Sequence, residues 1–400
     1  MISTAANYAF LALAATPFIY YALAIFSSLR FFRQGSPARK CAPGFTPPVS
    51  NLKPIRGLDP DAYENLASFC RQDYPEYEIL FCVDTDDPAL PVIEKLQADF
   101  PDRKIRILFG SGRIATNDKV AKLARLVSEA SHEVVVISDS DVRVPPDYLS
   151  AVVAPLADPK VGAVTCFYVP AQDTTHGTTF VQDLQSTGML ADFYAGIVVA
   201  WQLDGVKFTL GPTIATTRDR LAGFGGYQAI ENRPADDLLV GRLIADQGYR
   251  VELLRYCVST VADYHSFSDL FYKRLRWITV MRHMRPWGHL GLLFTHGLPW
   301  CLAAALVEPS LPVVTAYLGI YFLLRSSIIW IIGVRGLKQR VSWKELMLIP
   351  VWDALAFAIW LISFGRKSVR WRNNDYYIRD GMLVPVTPQP APEEARAGFD

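Results

Sequence analysis

Val134-Val135-Val136-Ile137-Ser138-Asp139-Ser140-Asp141 is a run of four β-branched apolar residues that stops at two aspartates spaced two apart. Such a short apolar run reads as a strand buried on both faces, as in a parallel sheet. Upstream of it, strands are expected at 49–53, 77–83 and 105–109, alternating with helices at 61–71, 91–100 and 118–130. The β-α-β-α-β-α-β order predicts an α/β fold: a mostly parallel sheet with helices on both faces. Ligands of such sheets bind beyond the carboxyl ends of the strands. Polar residues at those ends are therefore the first candidates for chemistry.

Three acidic clusters fall there. Asp84, Asp86 and Asp87 follow the second strand, Asp139 and Asp141 follow the fourth, and Asp236 and Asp237 lead into a helical run at 238–246. Residues two apart in an extended segment point to one side. Asp139 and Asp141 can thus present two carboxylates to a hard divalent cation that also takes phosphate oxygens; the alternative is a plain turn, where aspartate is common. Asp237 is a candidate to take a proton from a hydroxyl, or else a helix cap, a role open to Asp236 as well. In Lys273-Arg274-Leu275-Arg276-Trp277, Arg276 suits a leaving group that develops negative charge. Trp277 suits a membrane interface or the face of a sugar, and the same run also fits the basic flank of a membrane helix. Lys53, Arg56 and Lys119 stand near strand ends, where phosphate or ribose would lie, or are simply solvated. An isolated His265 is discounted.

Composition divides the chain. Hydrophobic residues make up 51% and charged residues 20%, so part of the protein suits lipid and part suits water. A net charge of +1 gives no sign of nucleic acid as a partner. Six cysteines without a C-x-x-C pair exclude a zinc ribbon and read as free thiols. Residues 8–26 are apolar and uncharged, close to the ~20 a spanning helix needs. Arg30, Arg33, Arg39 and Lys40 follow, which predicts an outside N-terminus and a cytoplasmic remainder. The expected organisation is an anchor at 1–30 and a linker at 31–48. A cytoplasmic catalytic domain follows at 49–288, interfacial near 266–288, then membrane helices at 289–365 and a cytoplasmic tail at 366–400, disordered after about 386. Three apolar C-terminal stretches, 290–307, 311–334 and 346–362, would make four spans in all and strand the basic tail outside. One of them is therefore expected to re-enter or lie in the interface, with 346–362 (holding Pro350 and Asp353) the first choice.

Eight stretches in one order carry a resemblance. They are Asn51-Leu-Lys-Pro-Ile-Arg-Gly-Leu-Asp-Pro60, Gln72-Asp-Tyr-Pro-Glu-Tyr-Glu78, Asp86-Asp-Pro-Ala89, Asn117-Asp-Lys119, Asp139-Ser-Asp-Val-Arg-Val144, Asp236-Asp237, Lys273-x-x-Arg276-Trp277 and Val369-Arg-Trp-Arg372. The chain resembles ceramide glucosyltransferases and their bacterial relatives. The resemblance implies a GT-A, Rossmann-like catalytic domain with one N-terminal and two to three C-terminal membrane helices. It implies inverting transfer from a UDP-sugar, UDP-glucose first, with Mg²⁺ or Mn²⁺, onto a lipid in the bilayer of a bacterial inner membrane or its equivalent. It leaves ceramide and a hopanoid polyol, the latter with N-acetylglucosamine, as alternative acceptors, and sets no oligomeric state. The family's three aspartates fall on Asp87 (nucleotide), Asp139 (diphosphate and metal) and Asp237 (base). Its R/Q-x-x-R-W signature falls on Lys273, Arg276 and Trp277, with Lys in place of Arg or Gln. The expected site is thus Asp237 as base, Lys53, Asp84, Asp87, Lys119, Asp139, Arg276 and Trp277 around the nucleotide-sugar, and Asp139 with Asp141 on the metal. Acceptor contacts are expected in 175–201. A nucleotide-sugar-binding membrane protein without catalysis, a processive polymerase and a transporter are the rival readings.

Overall fold

The computed structural model describes residues 4–33, 44–112, 115–171, 178–261, 266–371 and 374–386; His265 falls outside them. Strands β1 (Val49–Pro54), β2 (Tyr77–Val83), β3 (Lys104–Phe109) and β4 (Val134–Ile137) form as the sequence predicts. All three of their pairings are parallel, β1 with β2, β2 with β3 and β1 with β4. Every residue of β1, β2 and β4 is buried, whereas the edge strand β3 is partly exposed. Central strands covered on both faces have no reason to alternate polar and apolar residues.

The other half of the sheet is mixed. β5 (Val142–Arg143), β6 (Val161–Pro170), β7 (Ile214–Thr217) and β8 (Arg250–Thr260) complete an eight-stranded sheet of order β3-β2-β1-β4-β7-β6-β8-β5. β7 runs antiparallel to both β4 and β6, and β5 antiparallel to β8. The strand order reverses at β1 and β4, which opens a crevice at their carboxyl ends. Helix Asp118–Glu129 covers one face and buries Val120, Leu123, Ala124 and Leu126, a helical period of apolar residues. Asn117 caps it by accepting the Val120 amide. Helices Ala62–Cys70 and Leu90–Asp99 cover the opposite face with a second core around Phe69, Ile79 and Val136.

The first core does not stop at the sheet. It runs from Leu52, Leu80 and Ile137 through Tyr194 and Val198 to Tyr21, Phe31, Ile328 and Ile332 of the apolar helices. Two helices are long and apolar enough to cross a bilayer, Thr4–Arg33 and Leu311–Gly336. A third candidate is the pair Pro286–Thr295 and Gly297–Val307, bent by 54°. The bend lies in the first C-terminal apolar stretch. The stretch 346–362, expected to re-enter or lie in the interface, forms a 17-residue helix, Ile349–Gly365, that is not among the helices long enough to cross. The break is satisfied from the N-terminal helix: the Tyr21 hydroxyl donates to the Thr295 carbonyl and accepts from the Gly297 amide, each at 2.8 Å. Backbone groups freed at a helix break need such partners at membrane depth.

The segment expected as a tail is folded as far as Pro385. β9 (Ser368–Trp371), β10 (Asn374–Arg379) and β11 (Met382–Pro385) form a separate antiparallel sheet of order β11-β10-β9. Its alternating apolar residues Val369, Tyr376, Ile378 and Leu383 were masked in the sequence by the charges between them. The five described cysteines, Cys70, Cys82, Cys166, Cys257 and Cys301, are free.

Candidate active site

A cavity of about 330 Å³ opens where β1 and β4 end. The β1 end contributes Pro54, Ile55 and Arg56 with Asp59, and the β4 end contributes Asp139, Ser140 and Asp141. Asn117, Asp118, Lys119 and Lys122 line it from the head of helix Asp118–Glu129, Arg276 from helix Phe267–Met284 and Tyr376 from β10. Burial raises the Asp139 carboxyl, but Lys119, Lys53 and Lys273 together hold it below the usual carboxylate range. The contact is direct: Lys119 Nζ lies 2.6 Å from Asp139 Oδ1 and 3.5 Å from Asp236 Oδ2.

Asp237 sits in the first turn of helix Asp236–Asp246. Its Oδ2 accepts the Gly211 amide at 3.0 Å and its Oδ1 the Leu238 amide at 2.8 Å. Gly211 lies between the second and third acidic clusters. A Cβ there would stand 3.1 Å from Asp139 Oδ2 and 3.3 Å from Asp237 Oδ2. The two carboxylates therefore flank one small space that only glycine leaves clear. Burial first, then the Asp236 charge, pushes the Asp237 carboxyl up to about 6, against the pull of Lys119. A carboxylate so tuned can accept a proton near neutral pH.

Other expected residues support the cavity from behind. Lys53 is fully buried; its Nζ donates to Ser138 Oγ at 2.6 Å and to the Asp139 carbonyl at 3.0 Å, over the Phe69 ring. It holds the turn that presents Asp139. Asp87 accepts the Gly57 amide at 2.7 Å and the Ala89 amide at 2.9 Å, and so fixes the loop after β1. Gly57 takes φ +78°, which favours glycine. Asp84 accepts from Lys122 Nζ at 2.8 Å, and Lys122 also donates to the Ile55 carbonyl. Trp277 is not in the cavity lining: its ring lies 5.7 Å from Phe193, with the Arg274 guanidinium 4.9 Å from its centroid. Sequence reasoning missed Gly211, Lys122, Asp59 and Tyr376. Only Lys122 carried a usable signal, a lysine one position off the apolar stripe of its helix.

Asp139 and Asp141 reach the same cavity. Burial, then the charges of Asp139 and Asp59, push the Asp141 carboxyl up to about 7. That crowding of negative charge is what a divalent cation relieves. Among the described residues no group of three or more His, Cys, Asp or Glu gathers as a ligand set. Two carboxylates completed by substrate phosphates match the habit of Mg²⁺, so the pair fits such an ion.

The profile of glycosyl transferase family 21 matches residues 9–384. The chain belongs to this family. It is a glycosyltransferase, and within family 21 its relatives are ceramide glucosyltransferases. Ceramide glucosyltransferase 3 of Caenorhabditis elegans is 23% identical over 364 residues, 85% of this chain and 74% of the relative. Ceramide glucosyltransferase of Gibberella zeae is 30% identical over 159 residues, 36% of this chain and 29% of the relative. Among solved structures, a mannosyltransferase from Pyrobaculum calidifontis in complex with GDP-Man and Mn²⁺ superimposes with a TM-score of 0.55 at 20% identity, covering 87% of this chain and 99% of its own. This family 21 member thus shares the GT-A fold.

Proposed function

We propose that the protein is an inverting glycosyltransferase that moves glucose from UDP-glucose to the primary hydroxyl of a ceramide-type lipid, with its catalytic domain on the cytoplasmic face. The observation that carries the proposal is that Asp139, Lys119 and Arg276 line one crevice while Asp237 faces Asp139 across the space at Gly211, in a domain whose core is continuous with apolar helices. Family membership supports the reaction class. The names of the relatives support ceramide and glucose. Basic residues in the last turn of the first helix (Arg30, Arg33) and after the Leu311–Gly336 helix (Lys338, Arg340) support the orientation.

In this mechanism the lipid hydroxyl attacks the anomeric carbon from the side opposite UDP. Asp237 takes its proton as the new C–O bond forms and the bond to the β-phosphate oxygen breaks, so UDP leaves with the electron pair. Lys119 and Arg276 offset the charge that grows on the diphosphate. Asp139 and Asp141 would hold Mg²⁺ or Mn²⁺, whose charge stabilises the diphosphate. Asp87 and Lys53 position the loops around the nucleotide.

The test is purified protein in detergent with ceramide or a hopanoid polyol and UDP-glucose, UDP-galactose or UDP-N-acetylglucosamine, with products read by mass spectrometry. Glucosylceramide is expected. A hopanoid product with N-acetylglucosamine moves the acceptor class, and a long polymer makes the enzyme processive. Asp237→Asn is expected to keep UDP binding and to lower kcat by ~10³-fold or more; normal turnover would remove Asp237 as the base.

A further inference from the structure

We propose that Tyr376 is a donor-positioning residue and that the C-terminal sheet is part of the nucleotide-sugar site. This rests on the glycosyltransferase reading above and adds a residue that reading does not use.

Along β10 burial alternates, so Tyr376 and Ile378 turn inward while Asp375 and Arg379 face out. Tyr376 is 5% exposed, and its ring lies in the wall of the cavity that holds Arg276, Asp59, Asp139 and Asn117. A three-stranded sheet of four, six and four residues needs an apolar face to bury or a helix to pack on. This one is docked at three points. Val280, one helical turn after Arg276, packs on its core. Arg282 of the same helix donates to the Phe364 and Arg366 carbonyls, each at 2.6 Å, fixing the chain as it enters β9. The Leu383 amide donates to the Asn232 carbonyl at 2.7 Å.

The Asn232 contact leads back to the site. The Asn232 side chain accepts the Thr116 amide at 3.0 Å, and the neighbouring Glu231 carbonyl accepts the Asn117 amide at 3.1 Å. Thr116 and Asn117 line the cavity. One edge of the sheet is therefore linked through Asn232 to the segment that carries Thr116, Asn117 and Lys119, and its core is packed on the helix that carries Arg276. Tyr376 stands where both supports meet the cavity. A phenol ring there is a flat, stiff apolar wall among charged groups. It can lie against the sugar or nucleoside of the donor with two side-chain torsions to order.

The experiment compares Tyr376→Ala, Tyr376→Phe and Ile378→Ala, the last thinning the sheet core away from the cavity. Steady-state constants for donor and lipid, UDP affinity by calorimetry and the thermal midpoint are read for each in full-length protein. For Tyr376→Ala the donor KM and the UDP Kd are expected to rise together by ~10-fold or more, with kcat and the lipid KM within about threefold. Tyr376→Phe should recover most of the donor affinity, and Ile378→Ala should lower the midpoint while leaving UDP affinity near wild type. An unchanged donor KM in Tyr376→Ala overturns the proposal. So does a loss of UDP affinity in Ile378→Ala equal to that in Tyr376→Ala, since the sheet would then act only as support. If the glycosyltransferase reading itself fails, wild-type protein makes no glycolipid with any donor, while UDP calorimetry still reports on Tyr376.

Discussion

A carboxyl that is to act as a base near neutral pH must bind its proton more tightly than a solvated one. Asp237 does so because it is buried beside Asp236, and Lys119 sets the upper limit. Below about pH 6 Asp237 is protonated and cannot accept the acceptor's proton, so kcat/KM should fall as pH falls through about 6. Lys119→Met removes the cation that favours the ionised form. Its acid limb should therefore move to higher pH, along with a weaker hold on the donor; a pH–rate profile from 5 to 9 reads both. An acid limb unmoved in Lys119→Met would mean that Asp237 is not the titrating group. At this scale Asp139, Asp141, Asp237 and Arg276 could be picked out because charges at the ends of apolar runs stand out. Gly211 could not, since a glycine kept for the space beside two carboxylates looks like any loop glycine.

Elements were legible where burial is uniform and opaque where contacts decide. The parallel β1 to β4 half could be read because fully covered strands are unbroken apolar runs. β7 could not be told from a parallel strand, because antiparallel pairing with β4 and β6 leaves no mark in four residues. The stretch 175–201, rich in aromatic and small residues, read as the place for acceptor contacts, and no helix was read in the segment Phe180–Asp204. It is a helix with a π-helical stretch, Met189–Phe193, packed against the Thr16–Arg33, Leu311–Ile329 and Ile349–Gly365 helices. Its approach to the last of these depends on one glycine. A Cβ on Gly188 would stand 2.2 Å from the Trp352 ring, a stiff side chain that cannot swing clear. Small residues are what let helices approach this closely. Gly188→Val should therefore force the two helices apart and cost about 1–3 kcal/mol or more. A thermal midpoint in detergent equal to wild type would show that this contact is not held in solution.

Across the whole molecule, the catalytic domain and the apolar helices are joined by a buried charge cluster as well as by a shared core. Arg325, 1% exposed in the Leu311–Ile329 helix, pairs with Asp353 of the Ile349–Gly365 helix and with Asp192 at 2.8 Å. It also donates to the Ala191 carbonyl at 2.8 Å. Tyr321 donates to Asp353 and Trp352 to Asp192, so every carboxylate oxygen of the pair has a donor. In sequence Arg325 and Asp353 read as interruptions of two apolar stretches, because a charge seen alone in a hydrophobic run gives no hint of its partner. Ionisable groups at such depth persist when paired. The cluster holds two apolar helices against Asp192, next to Phe193, whose ring meets Trp277 on the helix of Arg276. Removing one partner should cost far more than removing both, since it strands a buried charge. Arg325→Met should therefore destabilise the protein by about 3–5 kcal/mol, and Arg325→Met with Asp353→Leu should recover part of that loss. If the apolar helices also set the geometry of the site, the single variant assayed well below its midpoint should lose kcat while UDP affinity holds. Equal midpoints for the single and double variants would mean that the cluster contributes packing alone. A wild-type kcat in the single variant would mean that the helices anchor the domain without shaping its active site.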